Sequence, residues 1–205
     1  MSENNPSEHE TIDWENLYCS VCSEKRGVNP EILKQVIILA VEIAREGREG
    51  RKIGALFIIG DSEEVIKRSK CLILDPLYGH PPEVKNIYDA NMRDTIKELA
   101  QLDGAFILSD KGIVLSACRY IDASSQGISL PLGLGSRHMA AASITKETNA
   151  VSVVVSESSM VRVFDDGELI TEIIPEIWLL SRYSLHLKGL YTEHKDKDIT
   201  VFSKS

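Results

Sequence analysis

Ala105-Phe106-Ile107-Leu108-Ser109-Asp110-Lys111-Gly112-Ile113-Val114-Leu115-Ser116-Ala117-Cys118-Arg119-Tyr120-Ile121 is the stretch that decides the fold. Two apolar runs, 105–109 and 113–121, are parted by Asp110-Lys111-Gly112, a Gly-containing separator that signals a hairpin. Upstream, Val84, Ile87, Tyr88, Met92, Ile96 and Leu99 recur at helical spacing and predict a helix of about five turns. Before it, Asp75 to Pro82 is a loop of strong breakers. Ile53 to Ile59 reads as a buried strand, 60–62 as a turn and 62–68 as a short helix. Downstream, a Ser-, Gly- and Pro-containing loop over 122–134 leads to an Ala-rich helix, His138 to Lys146. Strands are expected at 151–156, 160–164 and 169–173, with Asp165-Asp166-Gly167 turning between the last two. Helix and strand mix without strict alternation. The expected fold class is therefore α/β, a mixed central β-sheet flanked by helices and not a doubly wound parallel one.

A helical hairpin is expected ahead of this sheet. Asp13 caps a stretch with Trp14, Leu17, Tyr18, Val21 and Cys22 on one face, ended by Gly27. Asn29-Pro30-Glu31 restarts a second helix whose apolar face runs from Ile32 to Ala44 and closes at Gly47. The organisation read from the chain is a disordered tail at 1–12, a hairpin at 13–50 and a main domain at 51–205. Within the last, Trp178 to Leu187 suits a helix and Ile199 to Phe202 a final strand.

Composition bounds the function. The chain has 205 residues, 43% hydrophobic and 26% charged, enough for one substantial core. Its net charge of −8 gives no broad attraction to nucleic acid, so no nucleic-acid partner is expected and any phosphate site must be local. The polar N-terminus lacks the pattern of a signal peptide, and the apolar run Val36 to Ala44 is too short to span a bilayer. No membrane association is expected, and a cytoplasmic location is. Of four cysteines, Cys19 and Cys22 form a C-x-x-C with no second ligand pair, which reads as packed thiols in a reducing compartment.

Three loops carry chemistry. Asp103-Gly104 precedes a strand, so Asp103 stands at a sheet edge, where a carboxylate can hold Mg²⁺ or Mn²⁺ or take a proton from a hydroxyl. Gly104 lets a ligand approach the backbone. Gly133-Leu134-Gly135-Ser136-Arg137-His138 opens a helix: Ser136 can cap it, its free amides favour anions, and Arg137 and His138 can donate to phosphate. Neither a Walker A loop nor a G-x-G-x-x-G is present. Val153-Val154-Val155-Ser156-Glu157-Ser158 ends a buried strand in two hydroxyls and an acid.

Taken in order, Asp103-Gly104-Ala105, Gly135-Ser136-Arg137-His138-Met139-Ala140-Ala141 and Val155-Ser156-Glu157 resemble the motifs of the diadenylate cyclase domain, and the similarity runs from about Ile53 to Ile173. The chain looks most like the short soluble bacterial members with two helices before the domain. The resemblance implies condensation of two ATP into cyclic di-AMP and two pyrophosphates. It implies Asp103 as the catalytic metal ligand that helps activate the ribose 3′-hydroxyl, with Mg²⁺ or Mn²⁺ as cofactor. Gly104 and Ala105 would bring backbone close to the nucleotide, and the Tyr120 backbone would read the adenine. Gly135, Ser136, Arg137 and His138 would hold the triphosphate, with Ser156 and Glu157 lining the phosphate and metal side.

The chain departs from the family pattern at three places. Met139 stands for a second arginine, Ser158 for a second acid, and Leu102 for a histidine found in some members. These departures imply a slower or differently regulated enzyme. Each 3′-oxygen must attack the other ATP, so the active form is expected to be at least a face-to-face homodimer. Residues 1–47 are expected to restrain catalysis by controlling that apposition. Two alternatives stay open: a catalytically silent nucleotide-binding sensor of the same fold, and an assembly scaffold with an inert sheet domain.

Overall fold

The structure is a computed structural model that describes residues 26–175 except 73, 123 and 125, and the backbone of two strands at 191–196 and 199–204. Helix α1, Pro30–Glu46, starts where Asn29 accepts a hydrogen bond from the Glu31 amide and ends at Gly47. The first hairpin helix expected from Asp13 and the helix over 178–187 lie outside the described residues. β1 (Ala55–Ile59), α2 (Ser62–Lys67) and β2 (Ser69–Cys71) follow, then a 3₁₀ turn at Pro82–Val84, α3 (Ala90–Leu99), β3 (Ala105–Leu108) and β4 (Val114–Ile121). α4 (Ser136–Glu147) leads to β5 (Val151–Val155), β6 (Val161–Asp165) and β7 (Glu168–Ile173), and β8 (Tyr191–Asp196) pairs with β9 (Ile199–Lys204).

Seven strands form one sheet in the order β2-β4-β3-β1-β5-β6-β7. Only β1 and β3 run parallel; the other pairs are antiparallel, so the sheet is mixed as expected. The central strands are buried on both faces, which explains their nearly continuous apolar runs; the buried Ser152 of β5 donates to the Ala141 carbonyl. On one face, Phe57, Phe106, Val153 and Val163 join Leu33, Val36, Ile37, Ala40 and Ala44 of α1 and Met92 and Ile96 of α3. On the other, Leu56, Ile58, Ile107 and Val154 meet Ala141, Ala142 and Ile144 of α4. α1, expected as the second helix of a hairpin, thus packs in one core with the sheet.

The helix expected over 84–99 is shorter. Asn86 accepts from the Tyr88 amide and Asp89 from the amides of Asn91 and Met92, so local side-chain bonds displace the first turns and the helix starts at Ala90. Ile87 is nonetheless fully buried, because 85–87 runs beside the β3–β4 turn: the Ile87 amide donates to the Gly112 carbonyl and the Val114 amide to that of Lys85. β2 is a short edge strand that the hydrophobic pattern did not disclose.

Candidate functional site

The three chemistry-bearing loops converge at one end of the central strands. Asp103 precedes β3, Ser156 and Glu157 follow β5, and α4 begins between them. Two adjoining cavities share Ser136 and Arg137 as their common wall. The first, about 210 Å³, is lined by Asp103, Gly104, Ala105, Tyr120 and Met139, among others. The second, about 260 Å³, is lined by Gly133, Gly135, His138, Ser156 and Glu157 besides the shared pair. Every candidate residue named from the sequence thus borders one cavity or both.

Arg137 joins the carboxylates. Its Nη2 donates to Asp103 Oδ1 at 3.3 Å and its Nη1 to Glu157 Oε1 at 3.2 Å. Nε is buried with no partner among the described residues. The Asp103 side chain is 78% exposed and that of Glu157 71%, so both ion pairs face solvent. The Gly104 amide also donates to Asp103 Oδ1, at 2.9 Å, so both of these contacts use one carboxylate oxygen.

The helix start differs from the expectation. Gly135 is the N-cap and Ser136 the first helical residue, so no side chain caps α4. The first amides to bond back are those of His138 and Met139, both to the Gly135 carbonyl. The amides of Ser136 and Arg137 therefore stand ahead of the helical bonds at its electropositive end. A Cβ at Gly133 or Gly135 would meet nothing within 4 Å, so the loop before them is open.

His138 does not project as a free donor. Its side chain is buried, edge-on to Phe164, with Arg162 Nη1 3.3 Å from Nε2. A guanidinium only donates, so Nε2 accepts and the ring hydrogen belongs on Nδ1, which has no partner among the described residues. Burial first, then the charges of Arg162 and Arg137, lowers its pKa to about 4, so the ring is neutral at pH 7. Arg162 is held in turn by Glu172, its cross-strand partner, at 2.6 Å.

Gly104 borders the first cavity and also has a packing role. It has φ +111°, and a Cβ there would lie 2.6 Å from the Cys118 carbonyl carbon. It permits close packing of β3's entry on an irregularity of β4, where Cys118 itself has φ +55°. Tyr120 is half-exposed, with Lys70 Nζ 5.0 Å from its ring centroid. Met139 lines the first cavity beside Leu56, Ile121 and Ala140 and is absent from the second. Ser158 shares a 2.9 Å hydroxyl contact with Ser156.

Among the described residues no three His, Cys, Asp or Glu side chains converge as a metal cage. Exposed Asp103 instead fits a hard cation that brings its own phosphate ligands, since Mg²⁺ commonly takes one or two carboxylates and completes its shell with phosphate and water. No helix among the described residues is long and apolar enough to cross a membrane.

A mixed, helix-flanked sheet with an anion-suited helix start beside an apolar recess defines a nucleotide-binding class of α/β domain. Residues 42–169 match the DAC family, described as DisA bacterial checkpoint controller nucleotide-binding, and the chain belongs to that family. It is 49% identical over 149 residues to a diadenylate cyclase of Methanocaldococcus jannaschii, covering 72% of this chain and 47% of that one. It is 41% identical over 153 residues to a diadenylate cyclase of Haloferax volcanii, covering 73% and 55%. The chain thus spans about half the length of the curated relatives it matches. A solved structure of a hypothetical membrane spanning protein from Bacillus cereus shares the fold, with TM-score 0.52 and 18% identity over 78% of this chain and 70% of that one.

Proposed function

We propose that the chain is a diadenylate cyclase, condensing two ATP into cyclic di-AMP and two pyrophosphates. The observation that carries this reading is the wall shared by the two cavities, where Arg137 and the first amides of α4 stand between an apolar recess and two carboxylates. The recess suits a nucleobase, and the amides with Arg137 suit a polyphosphate. The names of the two curated relatives point to the same activity.

In this reading Ser136 and Arg137 hold phosphate oxygens, and open Gly135 leaves them room. His138 is neutral and buried, so it braces the helix start against Arg162 and adds no charge. Ser156 and Glu157 border the phosphates, while the backbone of Gly104, Ala105 and Tyr120, with Met139, borders the base. Asp103 together with phosphate oxygens would hold Mg²⁺ or Mn²⁺, which when bound neutralises phosphate charge and favours the ionised 3′-hydroxyl. The Asp103 carboxylate could also accept the 3′-hydroxyl proton. Each 3′-oxygen bonds to the α-phosphorus of the other ATP as the bond to pyrophosphate breaks. Most of the rate comes from positioning and charge stabilisation.

One site holding one ATP cannot close the ring. Two domains must meet with their sites apposed, a C₂ contact, so the active form is at least a homodimer. The high exposure of Asp103 and Glu157 suits such an encounter. Residues 1–47 would restrain catalysis by controlling this apposition, and deleting residues 1–25, which keeps the contacts of Arg26 with α4 and Asp165, should change assembly and turnover together.

Incubating the purified protein with ATP and Mg²⁺ or Mn²⁺ and reading cyclic di-AMP by mass spectrometry tests the assignment. ATP binding with no product under either metal would replace it with the silent nucleotide sensor.

A further inference from the structure

We propose that Gly54 is a positioning residue whose missing side chain forms the saddle on which the Arg137 guanidinium rests between Asp103 and Glu157. The catalytic consequence rests on the reading that Arg137 engages the phosphates of ATP.

The saddle follows from strand register. β1 runs between β3 and β5. Leu56 is level with Ala105 across the parallel pair, and Ala55 is opposite Val155 across the antiparallel pair. Continuing both registers back to Gly54 sets it level with Asp103 on one side and opposite Ser156 on the other. Glu157 follows directly. One glycine is therefore flanked by both acidic loops, and a guanidinium lying over it reaches each carboxylate, at 3.3 Å and 3.2 Å.

Space, and not backbone conformation, calls for glycine here. Gly54 does not adopt a left-handed φ. A Cβ at this position would lie 2.5 Å from Arg137 Nη1, 3.1 Å from its Cζ and 3.3 Å from the Val155 carbonyl oxygen. The contact with Nη1 is too short to stand, and the guanidinium is the end of a flexible side chain, so it is the group that moves. The motif glycines do something else: Gly104 packs on the backbone of β4, and Gly133 and Gly135 face open space. Gly54 lies outside all three motifs, yet it holds Arg137 where one cation can be shared by two acids and reached by an incoming phosphate.

The test is a cycle of four proteins: wild type, Gly54→Ala, Arg137→Ala and the double variant. Each is measured for thermal midpoint, for ATP dissociation constant by calorimetry and for kcat/KM with ATP. A displacement of roughly 1 Å at a reacting site costs about a hundredfold, so Gly54→Ala should lower kcat/KM by about that factor and weaken ATP binding. In the Arg137→Ala background the added methyl meets only the Val155 carbonyl oxygen, so the double variant should match Arg137→Ala in ATP affinity, and its midpoint should fall less below Arg137→Ala than that of Gly54→Ala falls below wild type. Losses that simply add would overturn the proposal and make Gly54 a residue of the sheet alone, and so would wild-type affinity and turnover in Gly54→Ala. If the wild type neither binds ATP nor forms product, the ATP reading fails while the midpoint cycle still decides. A midpoint drop that is larger when Arg137 is present upholds the saddle, and an equal or absent drop in both backgrounds overturns it.

Discussion

Arg137 Nη2 lies 3.3 Å from Asp103 Oδ1, so the acid assigned to catalysis is paired before any nucleotide arrives. The pair is exposed on the acid's side, and exposed pairs contribute little to stability, about 0–1 kcal/mol. Asp103→Asn should therefore leave the thermal midpoint nearly unchanged while cyclic di-AMP formation is lost. A variant that keeps full turnover would remove Asp103 from the mechanism. A variant that unfolds would make the residue structural.

His138 sets a pH dependence on stability. Its folded pKa of about 4 is below the ordinary value of 6.5, so the unfolded chain takes up the proton first as pH falls. Stability from this residue is complete above pH 6.5 and declines as pH drops toward 4, by at most about 1.4 kcal/mol per pH unit. Denaturant unfolding at pH 7, 5.5 and 4.5 should show that slope, and His138→Gln should flatten it. An unchanged slope in the variant would assign the effect to other groups.

Met139 occupies the wall of the apolar cavity, so its role differs from that expected of an arginine in a phosphate cradle. Met139→Ala removes apolar contact and should weaken ATP about four- to fifteenfold, on the scale of one or two buried methylenes. Binding of inorganic triphosphate should not change. Equal losses for both ligands, measured by calorimetry, would return Met139 to the phosphate side.

These placements separate what pattern carries from what it cannot. Strands such as Leu56–Ile59 and Val151–Val155 were legible because burial on both faces leaves a nearly continuous apolar run, interrupted in the second only by Ser152. The order of Asp103, Arg137 and Glu157 was legible as chemistry because each stands at or beside the end of a regular element. The start of α3 was not, since helical spacing of Val84 and Ile87 is indifferent to the bonds that Asn86 and Asp89 make with nearby amides. Gly54 was invisible for another reason. Its significance exists only once three strands are in register and a helix residue is laid across them. The capping role expected of Ser136 missed by one residue, because Gly135 takes the cap with its backbone alone.

Arg26 closes the end of α4 opposite Arg137, and its removal should cost stability out of proportion to its single charge. Its Nη1 donates to the carbonyls of Thr145, at 3.1 Å, and Thr148, at 2.7 Å, where the helix is electronegative. Its Nε makes an ion-pair contact with Asp165 Oδ1 at 2.8 Å, and both side chains are largely buried. Burial already raises the Asp165 pKa against the opposing pull of Arg26. Arg26→Ala leaves that carboxyl without its cation, and breaking a buried pair costs about 3–5 kcal/mol. Relief by protonation puts the expected loss near the lower figure. The double variant Arg26→Ala/Asp165→Asn should recover part of it, because the stranded charge is gone. Urea unfolding of the three proteins at pH 7 measures both quantities. A loss below 1 kcal/mol in Arg26→Ala, or no recovery in the double variant, would show that the contact is peripheral.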